Sequence, residues 1–272
     1  MSVINTNANA LFAQSAMRTN AREMSNAMQQ LSTGNRINSA KDDSAGLAIT
    51  QSMTSQIRGL NQAVRNANDG INMLQTADGA MVEQSNMLQR MRELAVQAAN
   101  GTYSSTQRGY LQTEFDELST QIDDISTNTE WNSLTLIDTA SADFDFQVGQ
   151  DADQTITVTI GAMTVSALSS SASFDISTAS GAGTAITDLD VALEAINSQR
   201  ATIGAGMNRL TYASDNLSNI SANVAASRST VNDTDYATAS TQLSKAQIIQ
   251  QASTAMLAQA NQQPQTVLAL LK

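Results

Sequence analysis

Cysteine and histidine are absent from this chain of 272 residues, and proline and tryptophan occur once each, at Pro264 and Trp131. Without cysteine and histidine the chain cannot form a disulfide, a thiolate zinc site, a cysteine nucleophile or a histidine general base. Most hydrolytic machinery is therefore excluded, and we expect no catalytic activity, no cofactor and no metal ion. A single proline suits long unbroken helices, because proline interrupts helices.

Positive charge is also scarce. Lysine and arginine number 14 against 25 aspartates and glutamates, the net charge is −11, and the lysines are Lys41, Lys245 and Lys272. Nucleic-acid binding needs basic side chains that neutralise phosphates, so we expect no nucleic-acid partner. No window approaches the ~18 apolar residues of a membrane-spanning helix. The N-terminus lacks the features of a secretory signal peptide. We therefore expect no membrane partner.

Large side chains are few as well. Aromatic residues make up 4% of the chain, and alanine dominates a hydrophobic content of 41%. Large side chains supply most of the free energy of burial, so this composition does not favour a thick globular core. Small residues let helix backbones approach closely, which favours long, closely spaced helices.

Apolar residues recur at steps of three and four in the N-terminal half. The positions are Ile57, Leu60, Val64, Ala67, Ile71, Leu74, Met81 and Leu88, with the polar residues Asp78 and Ser85 at two further seam positions. This spacing is typical of a coiled-coil seam. Asp42, Asp43 and Ser44 are N-cap candidates before the seam, and an Asn-Gly pair at 100–101 follows it, so we predict one long helix between them. Four glycines lie inside it: Gly46, Gly59, Gly70 and Gly79. Each costs about 1 kcal/mol relative to alanine, for which close contact with another helix would be a reason.

Two further segments have the same spacing. One follows Ser104 and contains Leu111, Phe115, Leu118, Ile122 and Ile125. The other contains Leu189, Leu193, Ile196, Ile203, Met207, Leu210, Leu217 and Val224. A lone helix with one apolar stripe gains little stability in water, so the three segments should pack together in antiparallel fashion. The predicted fold is mainly α, with a long antiparallel coiled-coil rod.

The two ends of the chain carry narrower stripes rich in alanine and methionine, flanked by glutamine, asparagine, serine and threonine. Such helices bury too little apolar surface to offset an ordering cost of about 1–2 kcal/mol per residue. We therefore expect the terminal helices to be disordered in an isolated chain and ordered on association.

Between 139 and 188 the pattern changes to period two. Phe144, Phe146 and Val148 alternate with polar residues, as do Ile156, Val158 and Ile160 after a turn-like cluster. This pattern predicts a β-hairpin. A weaker strand is predicted over 163–168, and an exposed loop over 169–184, where serine, alanine, threonine and glycine dominate.

Long stretches at both ends of the chain resemble bacterial flagellin. They lie at 31–49 (LSTGNRINSAKDDSAGLAI), 89–100 (QRMRELAVQAAN), 235–238 (DYAT), 246–252 (AQIIQQA) and 257–271. The resemblance covers roughly 1–138 and 186–272. Only about 50 residues separate these parts, so the chain is similar to a short flagellin without large outer domains.

This resemblance implies a subunit of the extracellular flagellar filament, which polymerises by coupled folding and assembly of its ends. Residues 1–43 and 233–272 would form the inner filament core, 44–138 and 186–232 the helical rod domain, and 139–185 a hairpin with an exposed loop. The implied partners are other copies of the chain, an export chaperone that binds the C-terminal helix, the flagellar type III export apparatus, and the filament cap and junction proteins.

The resemblance also implies two surfaces. The seam of the terminal helices would be the subunit interface, at Leu11, Met24, Leu31, Ile249, Met256, Val267 and Leu270. In similar flagellins the face at 90–100 contacts the neighbouring protofilament, and in monomers it is recognised by the Toll-like innate receptor for flagellin. The matching positions here are Arg90, Leu94 and Glu114.

Two alternatives to a filament subunit stay open at the level of sequence. A hook–filament junction protein shares the two-ended helical plan, although its ends resemble flagellin only weakly. A surface adhesin or ligand-binding coiled-coil protein would form soluble oligomers instead of filaments.

Overall fold

A computed structural model describes residues 6–138, 142–168 and 174–270, with the backbone alone over 263–270. Within these residues the chain forms six helices and two small antiparallel sheets of two strands each. The helices are α1 (Ala8–Thr33), α2 (Ser44–Ala99), α3 (Ser105–Asn128), α4 (Val165–Leu168), α5 (Ala179–Asn232) and α6 (Tyr236–Leu270). The strands are β1 (Glu130–Trp131), β2 (Leu134–Thr135), β3 (Ala142–Gln147) and β4 (Thr155–Ile160). The mainly α fold with a small β region is confirmed.

The long helices begin at the polar residues that cap them. The Asp43 carboxylate accepts a hydrogen bond from the backbone N–H of Gly46 at 2.8 Å, at the start of α2. Ser104 and Gln107 form a reciprocal capping box at the start of α3, which satisfies two backbone N–H groups that the helix itself leaves unpaired. Helix α1 ends at Gly34, whose φ of +72° suits glycine. The predicted N-caps of α2 and α3 are confirmed.

The chain divides into two compact units. Unit one contains residues 1–57 and 222–272, and unit two contains 58–221. Unit two has a continuous apolar core made by α2, α3, α5 and the β3–β4 hairpin. Phe115 and Phe174 meet edge to face inside it, with ring centroids 5.8 Å apart. Helices α2 and α5 run antiparallel there, since Arg200 on α5 donates to Asp78 on α2 at 2.8 Å and Ser221 donates to Asn61 at 3.0 Å.

The predicted hairpin is present, with Phe144 opposite Val158 and Phe146 opposite Ile156. It packs on two helical glycines. A Cβ added at Gly70 would lie 2.7 Å from the Phe146 ring, and one added at Gly206 would lie 2.8 Å from Val158. The glycines therefore admit the hairpin. The expectation that helix–helix contact explains the glycines of α2 is wrong for Gly70, and Gly79 has no neighbouring atom within 4 Å among those described.

Two local predictions differ from the structure. The strand predicted over 163–168 is instead a short helix, α4, because the Asp123 carboxylate accepts from Val165 N–H at 2.8 Å and Leu168 is buried. The loop predicted over 169–184 ends early, because α5 begins at Ala179. Thr178 Oγ accepts from Gly181 N–H at 3.0 Å, and Ala182 is buried. Residues 169–173 lie outside the described residues.

Candidate assembly surfaces

Helices α1 and α6 of unit one pair in antiparallel fashion. Asn7 donates to the carbonyl oxygen of Ala260 at 2.8 Å, Asn20 donates to that of Ala246 at 2.8 Å, and the Tyr236 hydroxyl donates to that of Leu31 at 3.3 Å. The buried residues of the described part of this pair are small: Asn20, Ala27, Ala239 and Ala246. The contact between the two helices thus removes little apolar area from water.

Several large apolar side chains of the same two helices are exposed, whereas others are half-buried: Met17, Met24, Leu31, Leu243 and Leu257. The exposed fraction is 76% for Phe12, 67% for Ile248 and 66% for Met256, and Leu11, Met28 and Ile249 are exposed as well. Large apolar residues left exposed on one pair of helices indicate a surface that binds another molecule. We call the exposed set Leu11, Phe12, Met28, Ile248, Ile249 and Met256 the terminal apolar surface.

A groove of about 540 Å³ runs along the terminal apolar surface between the two helices. It is lined by Asn9, Phe12, Ala13, Ala16, Ile249, Ala252, Ser253, Met256, Gln259 and Ala260. The lining is mostly apolar. A groove of this kind suits the apolar face of another helix.

The seven residues predicted for the subunit interface fall into three groups. Leu11, Ile249 and Met256 are exposed. Met24 and Leu31 are half-buried. Val267 and Leu270 lie in the helical backbone of α6, and their side chains fall outside the described residues. The assignment of these residues to an interface stays a prediction.

Sequence reasoning missed one residue of the terminal apolar surface, Phe12, and one buried residue of the α1–α6 contact, Asn20. Phe12 is the most exposed large apolar side chain of α1. The sequence feature that could have identified it is a lone aromatic residue in a segment otherwise poor in large side chains. Asn20 is the buried polar residue of α1. Its spacing of seven residues from Ala13 and from Ala27 could have indicated that it lies on the same face of the helix as these alanines. Its partner on α6 is more than 200 residues away in the chain and could not be seen from the local pattern.

Hydrogen bonds connect the C-terminal end of α1 to the N-terminal end of α6. We call this end of the helix pair its base. Arg36 N–H donates to the carbonyl oxygen of Asn232 at 2.6 Å, and Thr234 N–H donates to that of Gly34 at 2.9 Å. Asp235 caps α6 by accepting from the Thr238 hydroxyl at 2.7 Å and from Ala237 N–H at 2.9 Å. These hydrogen bonds, led by that of the Thr238 hydroxyl, hold the pKa of Asp235 below its ordinary value of 3.8.

A second exposed surface lies in unit two, where α2 meets α3. Arg90 donates to one carboxylate oxygen of Glu114 through both Nε and Nη2, at 3.1 and 2.8 Å, and its Nη1 donates to Glu93 at 3.0 Å. Hydrogen bonds to Glu114 and then Glu93 raise the pKa of Arg90 above its ordinary value. We call Arg90, Glu93 and Glu114 the Arg90 cluster.

Leu94 does not belong to that exposed surface. Its side chain is 1% exposed and packs in the core of unit two. The structure thus brings Arg90 and Glu114 together as predicted neighbours, while Leu94 lies beneath them. Whether these residues contact another molecule stays a prediction.

None of the described helices is both long enough and apolar enough to cross a bilayer.

Known proteins match this chain over almost its whole length. A profile of the bacterial flagellin N-terminal helical region matches residues 4–142, and a profile of the bacterial flagellin C-terminal helical region matches residues 186–271. A flagellin of Halalkalibacterium halodurans is 42% identical, over 99% of this chain and 100% of its own length. A flagellar filament 33 kDa core protein of Treponema phagedenis is 39% identical, over 99% of this chain and 100% of its own length.

A solved structure supports the same relationship. The crystal structure of Bacillus cereus flagellin is 35% identical and superimposes with a TM-score of 0.50, over 56% of this chain and 88% of that one.

Proposed function

This chain belongs to the bacterial flagellin family and is a structural subunit of the extracellular flagellar filament, and on that premise we propose that α1 and α6 gain their order by packing against other copies of the chain. The relatives that match over the full length are filament proteins, so a hook–filament junction role is not favoured. The observation that carries the proposal is the contrast between small buried residues and large exposed ones on the same helix pair.

The energetics of the isolated pair support this proposal. Ordering a residue costs about 1–2 kcal/mol, and α1 and α6 contain 26 and 35 residues. Burial of an alanine methyl group contributes less than about 1 kcal/mol of stability. The fully buried residues of the described pair are alanines and one asparagine. Covering Phe12, Ile248 and Met256 with a second copy would add about 1.5–3 kcal/mol for each side chain. We therefore infer that burial in the assembly, in addition to the contact between α1 and α6, stabilises the ordered terminal helices.

The proposed layers of the filament follow the division expected from the sequence. Residues 1–43 and 233–272 would form the inner core, 44–138 and 186–232 the surrounding helical layer, and 139–185 the hairpin region. The Arg90 cluster is proposed to contact a neighbouring protofilament, and in monomers the Toll-like innate receptor. Exposed charged side chains held in fixed geometry by mutual hydrogen bonds support that assignment.

The remaining partners are proposed from family membership. An export chaperone would cover the apolar face of α6 before assembly, the flagellar type III apparatus would export the chain, and cap and junction proteins would contact it at the filament ends. We also propose that the chain has no catalytic role, since cysteine and histidine are absent from its sequence.

A truncation tests the coupled folding and assembly. Removal of 267–272 should leave unit two folded, with an unchanged thermal unfolding transition by circular dichroism, and should abolish elongation on filament seeds. A variant that replaces those residues with the same residues in scrambled order controls for chain length. Normal elongation by the truncated chain would contradict the proposal.

A further inference from the structure

Asn20 and Gln250 form the polar contact at the centre of the α1–α6 pair. Asn20 is 4% exposed. Its Nδ2 donates to the Ala246 carbonyl oxygen at 2.8 Å and to Gln250 Oε1 at 3.3 Å. Its Oδ1 is buried and finds no hydrogen-bond partner among the described residues. A buried polar atom without a partner costs free energy, so this asparagine is not the residue that would best stabilise the pair.

Gln250 and Ser253 are polar residues in the seam of α6 that faces α1, and Gln250 is the one that contacts Asn20. Leu243 and Leu257, seven residues before and after it, are half-buried like Gln250 itself. In coiled coils a single buried polar residue fixes how helices pair, at a cost in stability. The polar residue on α1 and the polar residue on α6 meet each other, which is the arrangement that such selection requires.

The face of α6 beside the one that packs on α1 carries two large apolar side chains over 249–256, with Lys245 and Gln259 on either side of them. Ile249 precedes Gln250 and is therefore turned by about 100° around the helix. Ile249, Ala252 and Met256 form this second face in the distal half of α6 and line one side of the groove. Phe12 lines the other side of that groove. A turn of α6 toward α1 would pack this face on Phe12 and close the groove.

The hydrogen bonds at the base of the pair do not reach this region. Asn20 lies 14 residues before Gly34, which is about four helical turns. Turning α6 would place Ile249 opposite Asn20 and remove the amide from its partner Gln250. The polar pair is therefore the element that opposes closure in the distal half.

From these observations we propose that Asn20 and Gln250 act as a positioning pair that selects the face of α6 packed on α1 and so keeps the groove open for another copy of the chain. This inference rests on the proposed role of the terminal helices in assembly. A subunit without the pair closes the groove on its own side chains. Such a subunit folds its ends too early and assembles poorly.

The decisive variant is Asn20→Leu with Gln250→Leu, which removes both polar partners and leaves no orphaned amide. Hydrogen exchange of the dilute full-length monomer should show protection at 8–20 and 246–260 at least tenfold above wild type. Elongation on wild-type seeds should slow at least tenfold. The control is Gln14→Leu with Gln251→Leu, which makes the same two changes at exposed positions of the same helices, and we expect it to match wild type.

The rescue variant is Asn20→Gln with Gln250→Asn, which keeps one amide on each helix and should restore wild-type exchange and elongation. The proposal is overturned if the seam double variant matches wild type, or if the control gains as much protection as the seam variant. Unit two reports the integrity of the fold, through its unchanged thermal transition.

A reporter cysteine keeps this test separate from the proposed function. The chain has no native cysteine, so M256C gives one thiol on the groove. If wild-type ends prove ordered in the monomer, coupled folding fails, but the positioning pair still predicts that alkylation of M256C slows at least tenfold when Asn20 and Gln250 are both replaced by leucine. Equal alkylation rates in that case would overturn the pair alone.

Discussion

Gly70 of α2 lies directly beneath the ring of Phe146, so closely that a Cβ at Gly70 would lie 2.7 Å from the ring. The hairpin strand β3 therefore rests on the helix backbone. Phe146 belongs to the side chains packed against the main core of unit two. A glycine that is unfavourable for an isolated helix is thus required by the packing of the hairpin.

Gly70→Ala should destabilise unit two, although alanine favours helix by about 1 kcal/mol. Overpacking of this kind costs about 1–3 kcal/mol, so we expect a net loss of stability in urea unfolding. Gly79→Ala is the matched control on the same helix, because no described atom lies within 4 Å of its Cβ position. It should stabilise the protein by up to about 1 kcal/mol. Stabilisation by both substitutions would contradict the packing described for Phe146.

Phe12→Ser should reduce filament elongation strongly while leaving the thermal transition of unit two unchanged. Phe12 is 76% exposed, so its loss costs the isolated chain little, whereas its burial in an assembly contributes about 1.5–3 kcal/mol per contact. The control Phe12→Leu keeps an apolar side chain and should elongate at a rate near wild type. Elongation measured by light scattering on seeds checks this, and equal rates for serine and leucine would count against the terminal apolar surface.

Acid should loosen the start of α6. The pKa of Asp235 is lowered in the folded state by the Thr238 hydroxyl and by backbone N–H groups, so this carboxylate stabilises the fold above its ordinary pKa of 3.8. That contribution is lost as the pH falls below that value through the lowered pKa. Filament melting temperature should therefore fall as the pH drops below about 4, and Asp235→Asn should lower it at pH 7 and flatten this dependence. Asp215→Asn, at an exposed position on α5, is the control and should retain the wild-type slope.

Arg90→Glu should impair elongation, because it would place three carboxylates together in the Arg90 cluster and alter the charge pattern that this surface presents to a neighbouring subunit. Arg209→Glu changes the net charge equally at an exposed position of α5 and serves as the control.

The exchange of charges in Arg90→Glu with Glu114→Arg restores an ion pair within the fold. We expect it to recover thermal stability without recovering elongation, and full recovery of elongation would show that the cluster acts only within the subunit.

The parts of the fold that follow from local chemistry could be predicted. The seam spacing of α2 and the caps at Asp43 and Ser104 are set by residues within a few positions, and the alternation around Phe144 and Phe146 gave the hairpin. Helix α4 and the early start of α5 could not be predicted. They depend on Asp123 reaching Val165, across 42 residues, and on burial of small residues that are uninformative alone.

The assembly surface was predictable in kind but not in detail. Alanine-rich stripes at both ends indicated association, and the structure shows that the fully buried apolar residues of the pair are alanines while several larger ones are exposed. The contact of Asn20 with Gln250 joins the two ends of the chain. No local pattern contains that information, because the pairing depends on the antiparallel arrangement of α1 and α6.

Hydrogen exchange of the dilute monomer and of the assembled filament tests the central claim most directly. Coupled folding predicts that amides at 8–33 and 236–262 exchange without protection in the monomer and become protected in the filament, while the core of unit two is protected in both. Full protection of the terminal segments in the monomer would contradict the account.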